Sequence, residues 1–239
     1  MTQKPSQPDA AGFSHIEEWV FDLDNTLYPR HVDLFSQIDI KMTGFIQALL
    51  QMEHADARKL QKQYYHDHGT TLQGLMIHHE IDPNVFLQAV HDIDYSVLKP
   101  DIGLGDAIRA LPGRKFIFTN GDTPHAERTA TALGILDHFD DIFDIVAADL
   151  LPKPAPDTYQ RFLTRHGVHP QKAAMFEDLP RNLSVPDELG MRTILIVPRN
   201  MGEVVGEVWE HDGHDGGHVH YVTDDLTGFL RAIPGRQAE

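Results

Sequence analysis

The sequence predicts an α/β fold, a doubly wound parallel sheet that carries an inserted, all-helical segment. Two observations lead to this prediction. Short apolar runs alternate with amphipathic helical patterns along most of the chain, which favours a parallel sheet covered by helices. Between residue 30 and about residue 100, apolar residues instead recur only at three- and four-residue steps, which is typical of helices. Because ligands of such sheets bind beyond the carboxyl ends of the strands, the residues that follow each apolar run are the first candidates for function.

The elements of the predicted sheet follow one another along the chain. The run 18–21 is apolar after its first residue and leads into Asp22 and Asp24, as expected of a buried strand with acids at its carboxyl end. The run 115–118 has the same design and leads into Thr119. Further strands are predicted at 144–148, 173–178 and 193–197, helices at 125–134, 156–167 and 180–190, and a last strand and helix at 221–222 and 225–233.

The segment between the first two strands is predicted to be a small helical domain. Its first helix is indicated by apolar residues from Phe35 to Leu49, and three more by the patterns at 60–64, 72–79 and 85–90. We therefore divide the chain into three parts. These are a flexible leader (1–14), an α/β core (15–29 and 101–239) and a helical domain (30–100), and the Gly-, Asp- and His-rich stretch 202–220 is expected to be a surface loop.

Composition excludes several classes of function. The 239 residues are 41% hydrophobic and 23% charged, the balance of a globular protein. The absence of cysteine rules out disulfides, Fe–S clusters and thiolate zinc sites, and fits a cytoplasmic location. The formal net charge of −16 argues against nucleic-acid binding, which depends on clustered Lys and Arg. No stretch approaches the roughly 20 apolar residues of a membrane helix, and the N-terminus has no signal-like apolar region, so no membrane association is expected. The oligomeric state stays open.

Two acids carry the strongest chemical signal. Asp22 and Asp24 lie two residues apart, so their side chains share one side of an extended chain. Carboxylates held that close repel each other unless a proton or a cation lies between them, and oxygen-only ligation favours Mg²⁺. One carboxylate can then attack a phosphoryl group while the other protonates the leaving oxygen and later activates water. A turn or helix cap after a buried strand is the alternative explanation.

Three further segments place polar groups at predicted strand ends or beside them. Thr119 and the N–H groups of Asn120 and the next residue can hold a phosphoryl oxygen. Lys153 lies between prolines that stiffen the backbone, and it can neutralise both a carboxylate and a phosphate. Glu177 and Asp178 add acids after the fourth apolar run. Each residue taken alone also fits a helix cap or a solvated side chain, so the prediction depends on the set and its order.

The ordered set DxDxT, strand-Thr-Asn-Gly, Lys-Pro-x-Pro and Phe-Glu-Asp resembles the four motifs of the haloacid dehalogenase (HAD) superfamily of phosphohydrolases, from about residue 16 to residue 197. The resemblance implies a Rossmann-like core, and the inserted helices look like the superfamily's C1 cap. Five blocks resemble the pyrimidine 5′-nucleotidase subfamily. They are FDLDNTLYP (21–29), GTTLQGL (69–75), HDIDYSVL (91–98), IFTNGD (117–122) and FEDLPRNL (176–183).

This resemblance implies a role for each matching residue. Asp22 would be the nucleophile that forms an aspartyl-phosphate, and Asp24 the general acid/base. Thr119 and Asn120 would bind the phosphate, and Lys153 would stabilise the aspartyl-phosphate.

The resemblance also implies a Mg²⁺ cofactor. Its ligands would be a carboxylate oxygen of Asp22, the backbone carbonyl of Asp24 and the carboxylate of Asp178, with Glu177 as a further ligand, direct or through water. The presence of Asp24 argues against dehalogenation, because halide leaves without a proton and true dehalogenases lack this second acid.

The implied substrate is a small phosphorylated metabolite, a pyrimidine nucleoside 5′-monophosphate such as UMP or CMP. Candidate contacts in the cap are Tyr64, Tyr65, Gln73, His78 and His79, all of which could equally be packing residues. A sugar-phosphate phosphatase or a phosphomutase of the same superfamily is the alternative. A different class, a non-enzymatic metal-binding protein, would use the histidines of the 211–220 loop, because neutral imidazole binds Zn²⁺ or Ni²⁺.

Overall fold

A computed structural model describes residues 6–199, Glu207, Glu210 and 212–233 of the chain. Six parallel strands form one sheet in the order β3-β2-β1-β4-β5-β6. The strands are β1 (Glu18–Phe21), β2 (Arg114–Phe118), β3 (Asp141–Phe143), β4 (Ala173–Glu177), β5 (Arg192–Ile196) and β6 (Tyr221–Thr223). β1 lies at the centre, paired with β2 on one side and β4 on the other, so their carboxyl ends meet at one edge.

Ten α-helices accompany the sheet in the described residues. The helices are α1 (Ala10–Phe13), α2 (Leu34–Leu50), α3 (His54–His68), α4 (Thr71–His79), α5 (Pro83–Val90), α6 (Ile102–Ala110), α7 (Thr123–Leu133), α8 (Pro156–His166), α9 (Ser184–Glu188) and α10 (Leu226–Ala232). α2 to α5 lie between β1 and β2 and include the four predicted helices of the inserted segment. The predicted fold class, a parallel α/β sheet with an inserted helical segment, is confirmed.

The sheet is buried on both faces, which explains why its strands are apolar without alternation. Phe21 and Phe176 stack on one face with ring centroids 4.6 Å apart, within a cluster that also contains Trp19. Phe118 belongs to the cluster on the opposite face, where it packs on Phe143. Because successive side chains of a strand point to opposite faces, each strand contributes residues to both clusters.

The predicted strand at 144–148 is wrong, because the strand ends at Phe143 and turns follow it. Asp144 bends the chain there: its carboxylate accepts hydrogen bonds from the N–H groups of Thr123 and Ala147. Ile145, the apolar residue that favoured a strand, is buried among the helices α2 to α5 instead of against the sheet. The predicted helix at 180–190 is also shorter, a 3₁₀ turn followed by α9.

The predicted leader, 1–14, differs from the structure over its described part. Phe13 is 3% exposed, and its ring lies 6.2 Å from that of Trp19 and 5.7 Å from that of Phe229. Burying an aromatic side chain removes a large apolar surface from water, so this segment is held against the core.

Among the described helices, none combines the length and the apolar character that a membrane span requires.

Candidate active site

The carboxyl ends of three neighbouring strands bring the predicted residues together. Asp22 follows β1, Thr119 follows β2, Glu177 ends β4 and Asp178 comes next. Lys153 arrives from the loop before α8, and its side chain is 1% exposed. Residues more than 90 positions apart in sequence therefore share one site because parallel strands end at the same edge.

Lys153 is the centre of this site. Its Nζ donates hydrogen bonds to Asp22 Oδ1 and Glu177 Oε1, both at 2.7 Å, and to the backbone oxygen of Phe118 at 2.8 Å. Burial alone would lower the pKa of the Lys153 ammonium, but the two carboxylates outweigh it and raise that pKa. The lysine is therefore a fixed positive charge with all three of its donors in use.

Asp22 is 7% exposed and its carboxylate is held at both oxygens. Oδ1 accepts from Lys153, and Oδ2 accepts from the Thr26 hydroxyl at 3.0 Å. Burial raises the pKa of Asp22 well above its ordinary value, Lys153 opposes this, and the nearby acids add to the increase. The site therefore carries more negative charge than its lysine balances.

An acid cluster lies beside this pair. Asp22, Glu177 and Asp178 each offer an oxygen within 4.8 Å of the others, the one group of this kind found in the described residues. Burial raises the pKa of Asp178 to about 7, although Arg30 opposes the increase through an ion pair of 2.8 Å. Three neighbouring carboxylates offer only oxygen atoms, and the raised pKa values of Asp22 and Asp178 show that their negative charge favours a bound positive charge. Such a set fits a hard divalent cation such as Mg²⁺.

The three acids differ in what they can offer a cation. Glu177 Oε1 accepts from Lys153 and from the Asn182 side-chain amide, each at 2.7 Å, and Oε2 accepts from the Leu179 N–H at 2.9 Å. Asp178 accepts a hydrogen bond of 2.8 Å from Arg30 at Oδ2. Glu177 therefore serves mainly to hold Lys153, while Asp22 and Asp178 are the more available ligands.

Asp24 is held by two residues for which no role was predicted. His125 Nε2 lies 3.0 Å from its Oδ1, and the Tyr28 hydroxyl donates to the same oxygen. Burial alone would raise the pKa of Asp24, but His125 and Tyr28 outweigh it and lower that pKa. Tyr28 follows Asp24 by four residues, a spacing that a turn brings into contact. His125 is 101 residues away, and no local pattern identifies it.

The predicted phosphate-binding residues follow β2. Thr119 is 2% exposed, and its Oγ1 accepts from the Gly121 N–H at 2.9 Å. The side chain of Asn120 binds the Lys153 backbone: Oδ1 accepts from the N–H at 2.8 Å and Nδ2 donates to the carbonyl at 3.4 Å. Asn120 thus holds the lysine loop in place, which leaves its backbone N–H as its candidate contact with a phosphate.

Two contacts join the helices of the insert to this edge. Arg181 places its guanidinium 4.8 Å from the Tyr65 ring centre and donates to the Gly69 carbonyl at 3.3 Å. Gly69 has φ +83°, and a Cβ there would lie 3.3 Å from Pro152 Cγ. The 69–75 block therefore lies against the loop that carries Lys153.

Other cap candidates contact one another. The Tyr64 hydroxyl lies 2.8 Å from His79 Nε2, and its ring stacks on His78 with centroids 5.1 Å apart. Gln73 has a buried Oε1 without a hydrogen-bond partner among the described residues. A role for these residues in binding substrate stays a prediction.

A cavity of about 450 Å³ opens beside Asp178, between the 25–31 segment and the carboxyl ends of β5 and β6. Its volume lies within the range of small-molecule sites, and Arg30 and Tyr28 contribute to its lining.

The histidine-rich loop is used for packing where it is described. His218 Nε2 donates to the Pro180 carbonyl at 3.1 Å, and His220 contacts Thr193 at 2.8 Å and Asp187 at 3.1 Å. His211 lies outside the described residues. Within the described part of the chain, no histidine belongs to a group of three metal-ligating side chains.

A family model described as haloacid dehalogenase-like hydrolase matches residues 19–185. The chain is 28% identical over 193 residues to Phosphate metabolism protein 8 of Saccharomyces cerevisiae, a match that covers 73% of this chain and 60% of that protein. It is also 28% identical over 123 residues to Fructose-1-phosphate phosphatase YqaB of Escherichia coli, covering 48% of this chain and 63% of that one. Each match therefore spans less than two thirds of the relative.

Solved structures with the same fold include a HAD phosphatase from Thermococcus onnurineus. It is 17% identical, with a TM-score of 0.61 over 93% of this chain and 100% of that one. L-2-haloacid dehalogenase from Xanthobacter autotrophicus is 16% identical, with a TM-score of 0.55 over 92% and 100% of the two chains. At these identities the likeness shows the fold alone.

Proposed function

The chain belongs to the haloacid dehalogenase-like hydrolases, and from that premise we propose that it is a Mg²⁺-dependent phosphomonoesterase that works through an aspartyl-phosphate on Asp22. One observation carries the proposal. A buried lysine holds a carboxylate at 2.7 Å at the carboxyl end of the central strand, with a second acid, Asp178, beside it. A carboxylate fixed in this way is oriented for attack, and the lysine can stabilise the charge that develops on the phosphoryl group.

The proposed first step forms a bond between an Asp22 oxygen and phosphorus while the bond from phosphorus to the ester oxygen breaks. Asp24 gives its proton to the departing oxygen. His125 and Tyr28 lower the pKa of Asp24 in the free site. The negative charge of a bound phosphate ester opposes this effect and favours uptake, from solvent, of the proton that Asp24 then donates. In the second step water attacks phosphorus, Asp24 takes the water proton, and the carboxylate of Asp22 is released.

The remaining residues position the phosphoryl group and the cation. Thr119 is proposed to bind a phosphoryl oxygen together with the Asn120 N–H. Asp22, Asp178 and the backbone carbonyl of Asp24 are the proposed ligands of Mg²⁺, and Glu177, whose oxygens already accept protein hydrogen bonds, would act through water. When bound, Mg²⁺ supplies positive charge that balances the acids and the phosphate.

For the substrate we propose a pyrimidine nucleoside 5′-monophosphate. The support is that the 69–75 block, which resembles the caps of pyrimidine 5′-nucleotidases, lies against Pro152 of the lysine loop. Tyr65 also reaches this edge, through its contact with Arg181. Aromatic and amide groups are suited to binding a base.

A sugar-phosphate phosphatase is the second candidate, favoured by the similarity to a protein named as a fructose-1-phosphate phosphatase. A phosphomutase would return the phosphoryl group to a substrate rather than release it, so release of inorganic phosphate separates it from both. The metal-binding alternative has less support, because His218 and His220 are engaged in packing.

The experiment is a panel of UMP, CMP, AMP, GMP and sugar phosphates that includes fructose 1-phosphate, assayed for phosphate release with Mg²⁺ and ranked by kcat/KM. The Asp22→Asn variant, purified in parallel, measures any contaminating phosphatase. We expect UMP and CMP to lead. A tenfold lead of sugar phosphates, which corresponds to about 1.4 kcal/mol of transition-state preference, would replace the nucleotidase proposal with the second candidate.

A further inference from the structure

The carboxylate of Asp24 is held from one side only. His125 Nε2 lies 3.0 Å from Oδ1, and the Tyr28 hydroxyl donates to the same atom. Oδ2 accepts no hydrogen bond from the described part of the chain. Both contacts thus fix one oxygen and leave the other as the atom that can exchange a proton.

The imidazole of His125 is itself constrained at its other nitrogen. Nδ1 lies 3.0 Å from the Tyr95 hydroxyl, which also contacts the carbonyl oxygen of His91 at 3.2 Å. The His125 side chain has no exposed surface, and its ring stacks on His91 with centroids 4.4 Å apart and planes 9° apart. A ring held at both nitrogens and on one face has little freedom to rotate.

Two of the residues that hold His125 lie in the segment that leads from the inserted helices back to the core. His91 and Tyr95 lie between α5 and α6, whereas His125 is in α7 of the core. Asp122 joins the two parts, because its Oδ1 lies 2.9 Å from His91 Nδ1 and accepts from the His125 N–H at 3.0 Å. His125 is therefore held by His91, Tyr95 and Asp122, and it in turn contacts Asp24.

We propose that His125 is a positioning residue for Asp24: its Nε2–H fixes Oδ1 so that Oδ2 faces the leaving oxygen, and Tyr95 fixes the ring that carries this donor. The inference rests on the proposed function, because it assumes that Asp24 gives a proton to the departing group. General acid–base assistance contributes about 10²–10⁴-fold, and misplacing the acid forfeits part of it.

The dependence of kcat/KM on the leaving group is a measurement that a change in packing alone would not alter. An alkoxide needs a proton as it departs, whereas p-nitrophenolate is a stable anion and leaves without one. The value of kcat/KM reports the steps up to departure of the first product, so hydrolysis of the phospho-enzyme does not obscure the comparison. The ratio of kcat/KM for an alkyl phosphate to that for p-nitrophenyl phosphate therefore measures how well the acid is placed.

Two variants separate the nitrogens of the ring. In His125→Gln the side-chain amide can reach the position of Nε2 and keep a donor toward Asp24. In His125→Asn the shorter amide can reach only the position of Nδ1, toward Tyr95. Tyr95→Phe removes one hydroxyl and keeps the ring, so it tests the same chain of contacts if the histidine variants fold poorly.

His166→Asn is the matched control. Its side chain is 7% exposed and packs on Phe116 at the opposite end of the sheet from Asp24. It is expected to lower stability and to leave the ratio within twofold of wild type.

We expect His125→Asn to lower the alkyl-to-aryl ratio by at least tenfold, Tyr95→Phe to lower it by a smaller factor, and His125→Gln to recover most of it. Equal losses on both substrates, an unchanged ratio in His125→Asn, or a Gln variant as impaired as the Asn variant would overturn the inference. A wild-type enzyme that releases phosphate from neither substrate would overturn the proposed function as well, so the two failures are distinguishable.

Discussion

Replacing Lys153 with methionine tests the charge balance on which the site depends. Methionine nearly matches the lysine in volume and flexibility, so packing changes little. The variant instead removes the donor shared by Asp22, Glu177 and the Phe118 carbonyl, all within 2.8 Å of Nζ. We expect a large loss of stability in addition to the loss of activity.

The size of this loss follows from burial. Removing one partner of a buried ion pair typically costs about 3–5 kcal/mol, because the remaining charge stays buried without compensation. Lys153 and Glu177 are both 1% exposed, so water offers little compensation. In a chain of this length each kcal/mol lowers Tm by about 2–4 °C, so we expect Tm to fall by about 6–20 °C.

The loss should depend on pH in a defined direction. Lys153 opposes the burial that raises the pKa of Asp22, so its removal raises that pKa further in the folded state. A carboxyl with a folded pKa above its unfolded value loses stability as pH rises between the two values. The deficit relative to wild type should therefore be small near about pH 5 and larger near about pH 8.

Urea unfolding followed by circular dichroism at both pH values measures this difference. Lys172→Met is the matched control, because Lys172 forms an ion pair with Glu17 of 3.1 Å in which both side chains are at least 41% exposed. Such a surface pair contributes about 0–1 kcal/mol. Adding Glu177→Gln to Lys153→Met should restore part of the lost stability. A Lys153→Met deficit that matches the Lys172→Met control, or that does not change with pH, would refute the reasoning.

Three further predictions concern the nucleophile, the cation and the N-terminal segment. Asp22→Asn should retain the circular dichroism spectrum of the fold but lose turnover in a phosphate-release assay; measurable turnover above background would contradict its role. Excess EDTA should stop phosphate release and Mg²⁺ restore it, and Asp178→Asn should raise the Mg²⁺ concentration needed for half-maximal activity; activity that persists in EDTA would argue against an exchangeable ion. Phe13→Ala should lower the free energy of unfolding by about 3 kcal/mol, measured in urea, whereas a flexible segment would show no change.

The sheet and the inserted helices could be predicted because their signals are local. Each strand that was placed correctly is buried on both faces, so its apolar run is visible in the sequence. The helices of the insert have one buried face, which gives the three- and four-residue spacing of residues such as Leu34 and Ile38. The candidate site residues were visible because the parallel strands place most of them at their carboxyl ends.

The errors occurred where a distant partner decides the structure. The run 144–148 looks like a strand, but Ile145 is buried by helices that come from elsewhere in the sequence. Phe13 is a single aromatic residue without a periodic pattern, and its partners Tyr221 and Phe229 lie more than 200 residues away. No local pattern can show which element covers an isolated apolar residue.

The same limit applies to the site. Asp22 and Lys153 were predicted from motif order, whereas Arg30, which pairs with Asp178, and His125, which contacts Asp24, were not. Each missed residue contacts an acid that lies about 100 residues or more away in the sequence. They are the residues that decide which carboxylate oxygen stays available.

Neighbouring residues hold the four acids of the site in different ways. Glu177 shares Lys153 with Asp22, since each carboxylate accepts a hydrogen bond of 2.7 Å from Nζ, whereas Asp178 pairs with Arg30. Asp24 instead contacts His125 and Tyr28, which lower its pKa against the effect of burial. Asp22 and Asp24 are therefore held by different residues. Because Lys153 contacts one carboxylate and His125 the other, Asp22 and Asp24 are oriented independently, which supports the different roles proposed for two acids that lie within three residues of each other.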